Sequence, residues 1–287
     1  MESFKNRVVG RSIGEDTFTA YKLWINRFEM WYSSENRDGP PKLRDLEDFD
    51  TMLEDPTHDW YLWDNAVGRP APQSYSYSSR NQAISAVKKW VRRQYGVDIP
   101  EQPGDIVRGS EDEFDPTYLS HERVGEVLDE SWGACQCPGC TAALSLSYDA
   151  ILRASELVRV TFNDFDAQQG DVYVTASKGS RNSTLTVSDQ TVELIEEYID
   201  QADHTSGKLF RNTYGDPWNK QSWASHVLRC HVPEGSHAWG RHTPILHMLQ
   251  AGQPFGDVYR RARHVNPSTT ARYARYVDVD VPSWAGE

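Results

Sequence analysis

The sequence is poor in lysine and has a deficit of positive charge. Only eight of its 30 lysine and arginine residues are lysines, and 42 acidic residues leave a formal net charge of -12. An acidic chain with few lysines suits a cytoplasm rich in salt, where charge repulsion is screened within about 3 Å. The composition therefore favours a halophilic host. The alternative is an ordinary acidic protein whose basic residues are concentrated on one face.

Long apolar runs and a secretory signal are also missing. No stretch approaches the roughly 20 apolar residues that are needed to cross a bilayer. The amino terminus does not show the basic and then apolar pattern of a signal peptide. We therefore expect a soluble cytoplasmic protein without a membrane partner, and 287 residues are enough for two domains.

Cysteine is scarce, but three of the four cysteines are clustered: Cys135, Cys137 and Cys140. Pro138-Gly139 favours a tight turn that would bring thiolates together, so a structural zinc ion is one interpretation. Its fourth ligand would be Cys230, His121 or a residue of a partner chain. The alternatives are reduced thiols that serve as small apolar residues, or a disulfide.

Hydrophobic periodicity divides the chain into two domains. Apolar residues at helical spacing predict helices over 12–32, 43–53, 60–67 and 78–95. Residues 100–116 carry prolines, glycines and an acidic run, which is typical of a linker. In the remainder, an apolar helix is predicted over 142–157 and alternating residues predict strands over 171–175 and 183–187. The expected fold is mainly α with a small antiparallel sheet, comprising a helical domain over 1–99 and a mixed domain over 117–287.

Clustered basic residues are candidates for contacts with a phosphate backbone. They lie on the last helix of the first domain, in the turn between the two strands, and in a late helix: Lys88, Lys89, Arg92, Arg93, Arg181, Arg260 and Arg261. The alternative interpretation is a solvated surface paired with acidic residues.

A second set of residues suits attack on a phosphodiester. Such attack needs a nucleophile, groups that stabilise negative charge, and a proton donor for the leaving oxygen. Arginine forks bind phosphate oxygens in a bidentate way and stay protonated. The sequence offers these residue types in order: Arg153, Lys178, His237, Arg241, His264 and Tyr273.

The motifs around these residues resemble those of the tyrosine recombinase (phage integrase) family. An apolar helix followed by Leu-Arg and Ser-Glu-Leu, at 146–157, resembles its first arginine box. Ser177-Lys178-Gly179 resembles the lysine hairpin, and Arg241-His242-Thr243 resembles the second arginine box. His264, followed nine residues later by Tyr273, resembles the terminal segment.

The resemblance implies a role for each matching residue. Tyr273 would be the nucleophile that forms a 3′-phosphotyrosine, and Arg153 and Arg241 would hold the scissile phosphate. Lys178 would protonate the leaving 5′ oxygen. Two histidines would assist proton transfer and charge stabilisation, and an acidic residue would orient its neighbours: His237, His264 and Glu156.

The resemblance also implies partners and a process. No metal or nucleotide is required, because the phosphotyrosine bond conserves the energy for rejoining. The expected substrate is double-stranded DNA with attachment sites, bound by a synaptic tetramer that integrates a viral or plasmid genome. The alternatives are a DNA-binding protein of this fold that has lost cleavage, and an enzyme similar to type IB topoisomerases.

One spacing departs from the family pattern. The family has histidine three residues before the second arginine, where this chain has Ala238, and His237 lies four residues before Arg241. An inserted residue could still deliver the imidazole, particularly beside Gly240. His242 is the other histidine at this motif, and on a helix we expect it to point elsewhere.

Overall fold

The computed structural model describes residues 14–55, 74–109, 114–134, 139–176, 181–230 and 232–277. Contacts divide the chain into two compact units, Met1–Glu113 and Phe114–Glu287. The predicted helix at 60–67 lies outside the described residues, and so do Cys135, Cys137 and Lys178. The described part is mostly helical with one small antiparallel sheet, which confirms the predicted fold class.

Helices are the secondary structure of the first unit within its described residues. Its helices are α1 (Glu15–Ser34), α2 (Leu43–Glu54), α3 (Tyr77–Tyr95) and the short α4 (Pro103–Ile106). The α3 helix begins where the Ser76 side chain accepts a hydrogen bond from the backbone N–H of Ser79. It ends at Gly96, whose φ of 68° is the left-handed conformation that glycine adopts most easily.

Aromatic side chains fill the core of the first unit. Phe28 is fully buried, and its ring meets that of Phe49 edge to face at 5.0 Å and that of Trp90 at 6.0 Å. Such edge-to-face pairs add to the gain from burial itself. This core therefore joins α1, α2 and α3.

A buried ion pair crosses the same unit. Arg80 of α3 lies 3.2 Å from the fully buried carboxylate of Asp50 on α2, and Asp50 also accepts a hydrogen bond from the backbone of Arg108. Burial raises the pKa of Asp50, while Arg80 and Arg108 oppose that effect. The pair ties α2 and α3 to the segment that follows α4.

The second unit combines helices with a three-stranded sheet. Its helices are α5 (His121–Ala134), α6 (Cys140–Asp149), α7 (Ala154–Leu157), α8 (Asp189–Gln201), α9 (Lys220–Cys230), α10 (Thr243–Gln250), α11 (Phe255–Arg261) and α12 (Pro267–Ala271). A π-helical turn over Ala238–His242 precedes α10, and 3-10 turns lie at Phe162–Asp164 and Arg272–Tyr276. The strands are β1 (Phe165–Asp166), β2 (Asp171–Val174) and β3 (Ser183–Thr186), in the order β1-β2-β3.

The α6 helix is the centre of this unit. Residues 140–147 are all buried, so α6 has no face in solvent. Strands β2 and β3 are antiparallel, with Val172 opposite Leu185, and both of these side chains point into the core. The hairpin predicted at 171–175 and 183–187 is confirmed, each strand ending one residue earlier than expected.

The predicted helix over 142–157 is wrong at its second half. The α6 helix ends at Asp149, Ile151 has a φ of 50°, and Arg153 is the N-cap of the separate helix α7. A positive φ in a β-branched residue is rare and needs support from the surrounding structure. Arg153 is therefore presented from a break between helices and not from a helix face.

Among the described residues, no helix is both long enough and apolar enough to span a bilayer.

We predict that Asp50→Ala destabilises the first unit by about 3 kcal/mol, because it leaves the buried Arg80 without its buried partner. Asp48→Ala is the matched control, because Asp48 pairs with Arg37 near the surface. Such an ion pair contributes about 1 kcal/mol or less to the free energy of unfolding. Urea unfolding of both variants measures the difference. Equal losses in the two variants would contradict the prediction.

Candidate active site

Arginine side chains converge on the carboxyl end of α6. Arg241 donates to the carbonyl oxygen of Ile151 at 2.8 Å, and Arg263 donates to those of Ala150 and Ile151 at 2.9 and 2.8 Å. The last carbonyls of a helix have no partner within the helix and carry partial negative charge. The two guanidinium groups satisfy these carbonyls and stabilise the break that follows α6.

Glu156 holds Arg153 and Arg263 in place. Its buried carboxylate accepts bonds from Arg153 Nη1 at 3.1 Å, from the Arg153 backbone at 3.0 Å and from Arg263 Nη2 at 2.8 Å. Arg153 keeps 28% of its side chain exposed, whereas Arg263 has 1% exposed. Arg153 is thus available to a ligand, while Arg263 is buried and serves the structure.

A π-helical turn at Ala238–His242 carries the second arginine, Arg241. A π turn closes hydrogen bonds one residue further along than an α-helix and so contains one extra residue per turn. Gly240 lies inside the turn, where an added Cβ would come within 2.4 Å of the Leu152 carbonyl oxygen. The turn can pack against the end of α6 only because residue 240 lacks a side chain.

His237 is held beside the arginines by this turn. Its ring lies 4.6 Å from that of His242, and it remains open to solvent. Burial, followed by the positive charges of Arg241 and Arg153, lowers the pKa of His237. Because the ring is solvent-accessible, repulsion by the two arginines is the better-founded cause.

His264 is positioned by a buried threonine. Its Nδ1 lies 2.7 Å from the hydroxyl of Thr270 on α12, and both side chains are buried. Burial, then the charges of Arg241 and Arg153, lower the pKa of His264 to about 3. The imidazole is therefore neutral at neutral pH, and Nε2 is the atom that stays available for a ligand.

Tyr273 lies against the same group of residues. Only 4% of it is exposed, and its hydroxyl lies 2.7 Å from Nδ1 of His242. Phe114 meets the Tyr273 ring edge to face at 4.9 Å. Burial raises the pKa of Tyr273 to about 12, although Arg241 and Arg153 act in the opposite direction.

The expectation that His242 points elsewhere is wrong. The π turn rotates the residues after Gly240, and His242 directs its ring at the hydroxyl of Tyr273. Burial, then His237 and Arg241, lower the pKa of His242 to about 4. His242 is therefore neutral and can accept a hydrogen bond from the phenol.

The guanidinium of Arg241 is buried but has spare bonding capacity. Its Nη2 atom has no hydrogen-bond partner within the part of the chain that the structure describes. Burial and the charge of Arg153 lower the pKa of Arg241 to about 9, which still leaves the group charged at neutral pH. A buried donor with positive charge around it suits an anionic ligand.

The other predicted residues have varied surroundings. Arg260 is exposed and pairs with Asp257, and Arg261 bonds to Asp149 and the Thr186 carbonyl oxygen, so Arg261 already has partners within the fold. Arg181 is exposed at the start of the segment leading into β3. The basic residues of α3, Lys88, Lys89, Arg92 and Arg93, lie in the first unit, where Lys89 contacts the Tyr21 ring and hydroxyl.

Arg153 and Arg241, three histidines and a buried tyrosine thus occupy one region of the second unit. Residues 118–278 match the model of the phage integrase family. The chain therefore belongs to this family, the tyrosine recombinases.

Relatives and solved structures agree with this assignment. Tyrosine recombinase XerC 2 from Ralstonia nicotianae is 23% identical over 296 residues, covering 95% of this chain and 80% of that protein. XerC from Roseiflexus is 24% identical over 279 residues, covering 92% of this chain and 84% of its own. A lambda integrase dimer bound to a COC′ core site has the same fold, with a TM-score of 0.69, 11% identity, and coverage of 100% and 96%.

We predict that Gly240→Ala displaces Arg241 and lowers the rate of any reaction at this site by at least about 10-fold. The added Cβ would force the π turn away from the Leu152 carbonyl. Gly125→Ala is the control, because an added Cβ at this exposed position in α5 meets nothing within 4 Å. Overpacking also lowers the free energy of unfolding by about 1–3 kcal/mol, measured by urea titration.

We also predict that acid destabilises the second unit through His242 and His264. Their pKa values in the folded chain, about 4 and about 3, lie below the unfolded value of about 6.5. The unfolded chain binds more protons in that window, so stability is complete above about pH 6.5 and declines as the pH falls toward 4. The slope of the unfolding free energy against pH reports how many more protons the unfolded chain binds. His264→Gln should lower that number by up to about one. An unchanged slope would refute the lowered pKa of His264.

Proposed function

We propose that this protein is a site-specific recombinase that cleaves and rejoins DNA through a bond between Tyr273 and phosphate. The observation that carries the proposal is the buried Arg241, whose Nη2 lacks a partner among the described residues while Tyr273 and its histidine partner lie close by. Membership of the phage integrase family supports the same chemistry.

In the proposed step, the Tyr273 oxygen bonds to phosphorus and the bond from phosphorus to the 5′ oxygen breaks. Arg153 and Arg241 hold the non-bridging oxygens, whose negative charge grows in the transition state. Glu156 orients Arg153 by accepting one hydrogen bond from its guanidinium Nη1 and one from its backbone N–H. His237 and His264 supply further hydrogen bonds from the sides of the site.

His242 receives the phenolic proton in this scheme. It lies within hydrogen-bond reach of the Tyr273 hydroxyl and is neutral at neutral pH. A phenol whose pKa is raised to about 12 is a poor nucleophile until its proton is accepted or phosphate binding changes its surroundings. Lys178, which lies outside the described residues, is the proposed donor to the leaving 5′ oxygen.

The proposed partner is double-stranded DNA carrying attachment sites. A solved structure of the same fold, the XerH site-specific recombinase bound to a palindromic difH substrate, supports this proposal, with a TM-score of 0.67 and 15% identity. We propose contacts from the basic residues of α3 in the first unit and from Arg181 and Arg260 in the second. We propose further that the protein assembles as a tetramer on paired sites. Its role would be the integration of a viral or plasmid genome in a halophilic cell.

A nicked suicide substrate tests the chemistry. Cleavage next to the nick releases a short fragment, so the covalent protein–DNA adduct accumulates and is counted on a denaturing gel. We expect an adduct with the wild type and none with Tyr273→Phe. Tyr276→Phe is the matched control, because the Tyr276 hydroxyl donates a hydrogen bond to the Phe114 carbonyl oxygen.

The outcomes separate three classes of protein. Adduct formation confined to one DNA sequence supports a site-specific recombinase. Adducts and relaxation on plasmids of any sequence would indicate an enzyme similar to type IB topoisomerases. Tight binding without an adduct, at saturating DNA and across a range of salt concentrations, would indicate a binding protein that has lost cleavage.

We predict that His242→Phe slows adduct formation by about 100-fold while DNA affinity changes little. Removal of a general base has an effect of this size, and the His242 ring nitrogen Nδ1 lies within hydrogen-bond distance of the nucleophile. Single-turnover adduct formation from pH 6 to 9 is the measurement. The variant should gain rate with pH more steeply than the wild type, and parallel profiles would show that His242 is not the acceptor.

A further inference from the structure

Tyr273, the proposed nucleophile, is covered by its surroundings. Only 4% of it is exposed, and it belongs to a small apolar cluster with Ile245 and Val258. Attack on phosphorus requires the phenolic oxygen to come within about 3.5 Å of a phosphate in DNA. A side chain that is nearly enclosed cannot reach so large a ligand. Some neighbouring group must therefore separate from Tyr273 before the reaction, and this inference rests on the proposed function.

Phe114 is an aromatic side chain that lies directly against Tyr273. The centroids of the two rings are 4.9 Å apart and their planes meet at 78°, which is the edge-to-face arrangement that aromatic rings favour. The Phe114 ring also lies 5.8 Å from that of His242, whose Nδ1 is next to the Tyr273 hydroxyl. Phe114 therefore packs on both the nucleophile and its proposed proton acceptor.

The turn that carries Tyr273 also holds Phe114 at two further points. The guanidinium carbon of Arg272 lies 4.4 Å from the centre of the Phe114 ring, which is a cation–π contact. The Tyr276 hydroxyl donates a hydrogen bond to the Phe114 carbonyl oxygen. Arg272, Tyr273 and Tyr276 belong to the same 3-10 turn. Residues on both sides of the nucleophile thus hold Phe114 onto it.

The chain that follows Phe114 is anchored at a different place. The backbone N–H of Leu119 donates to the Thr243 hydroxyl at 3.1 Å, and the Leu119 carbonyl oxygen lies 2.8 Å from Nε2 of His247. Both partners belong to α10. The residues between Phe114 and Leu119 form neither helix nor strand. This arrangement permits Phe114 to leave the turn while Leu119 keeps its place.

We propose that Phe114 is an autoinhibitory cover of Tyr273, which must separate from the phenol before attack on DNA. Separation breaks the aromatic pair, the contact with Arg272 and the hydrogen bond from Tyr276 together, because all three are made to the same residue. Only the fraction of molecules in which the two rings have separated is competent to react, so the cover lowers the observed rate in proportion to that fraction.

Nitration by tetranitromethane, followed by mass spectrometry of the tyrosine peptides, measures the cover in the absence of DNA. We expect slow nitration of Tyr273 in the wild type. Nitration should be about 10-fold faster in Phe114→Ala, which is the size expected when an aromatic pair and a cation–π contact are lost.

Two other tyrosines of the second unit are internal references for this measurement. Tyr214 is 89% exposed and should react equally in both proteins. Tyr198 is buried, and its continued protection shows that the variant is folded. If Tyr198 also reacts in Phe114→Ala, the measurement is made on Phe114→Leu, which keeps an apolar side chain and should show a smaller increase. Unchanged nitration of Tyr273 in a folded variant would overturn the proposal.

Single-turnover adduct formation on the nicked duplex tests the consequence for the reaction. Phe114→Ala should form the adduct about 10-fold faster than the wild type at saturating DNA. Phe255→Ala is the matched control and should keep the wild-type rate, because Phe255 is exposed at the start of α11. Faster nitration combined with slower adduct formation would show that Phe114 positions the nucleophile, which contradicts the proposal. Absence of an adduct from every protein would refute the proposed function, and nitration would still decide whether Phe114 covers Tyr273.

Discussion

Hydrogen bonds from two guanidinium groups to the carbonyl end of α6 are the interaction on which the second unit depends. Arg241 and Arg263 satisfy the oxygens of Ala150 and Ile151, which lose their helical partners where the chain turns away. The same bonds fix the backbone between α6 and α7, and with it the position of Arg153. The hydrogen bonds that stabilise this backbone therefore also place the candidate phosphate ligands. Any change that frees these carbonyls also displaces the guanidinium groups.

This arrangement explains how an acidic protein can present a positive site. Net charge is an average over the surface, whereas Arg153, Arg241 and Arg263 are concentrated around one carboxylate, that of Glu156. One negative charge cannot neutralise three positive ones, and burial lessens the screening by water. Burial, together with the charge of Arg241, lowers the pKa values of His264 and His242, so both imidazoles are neutral at neutral pH. The negative net charge of the whole chain is thus compatible with anion binding at this site.

Much of the fold follows from local patterns, but the site does not. The alternation in β2 and β3 and the apolar spacing in α1 and α3 are readable because each is complete within a short segment. The break after Asp149 is different, since it depends on arginines about 90 and 110 residues further along. Propensity alone continues that helix through Arg153. The orientation of the His242 ring was also predicted wrongly, because it depends on a π turn that leaves no periodic pattern in the sequence.

The π turn at Ala238–His242 also limits which changes this segment can accept. A π turn holds one residue more than a turn of α-helix, and Gly240 lets it lie against the Leu152 carbonyl oxygen. Deletion of one residue here would convert the turn to regular helix and rotate His237 by about 100° relative to α10. The segment is therefore sensitive both to shortening and to a bulkier residue at position 240.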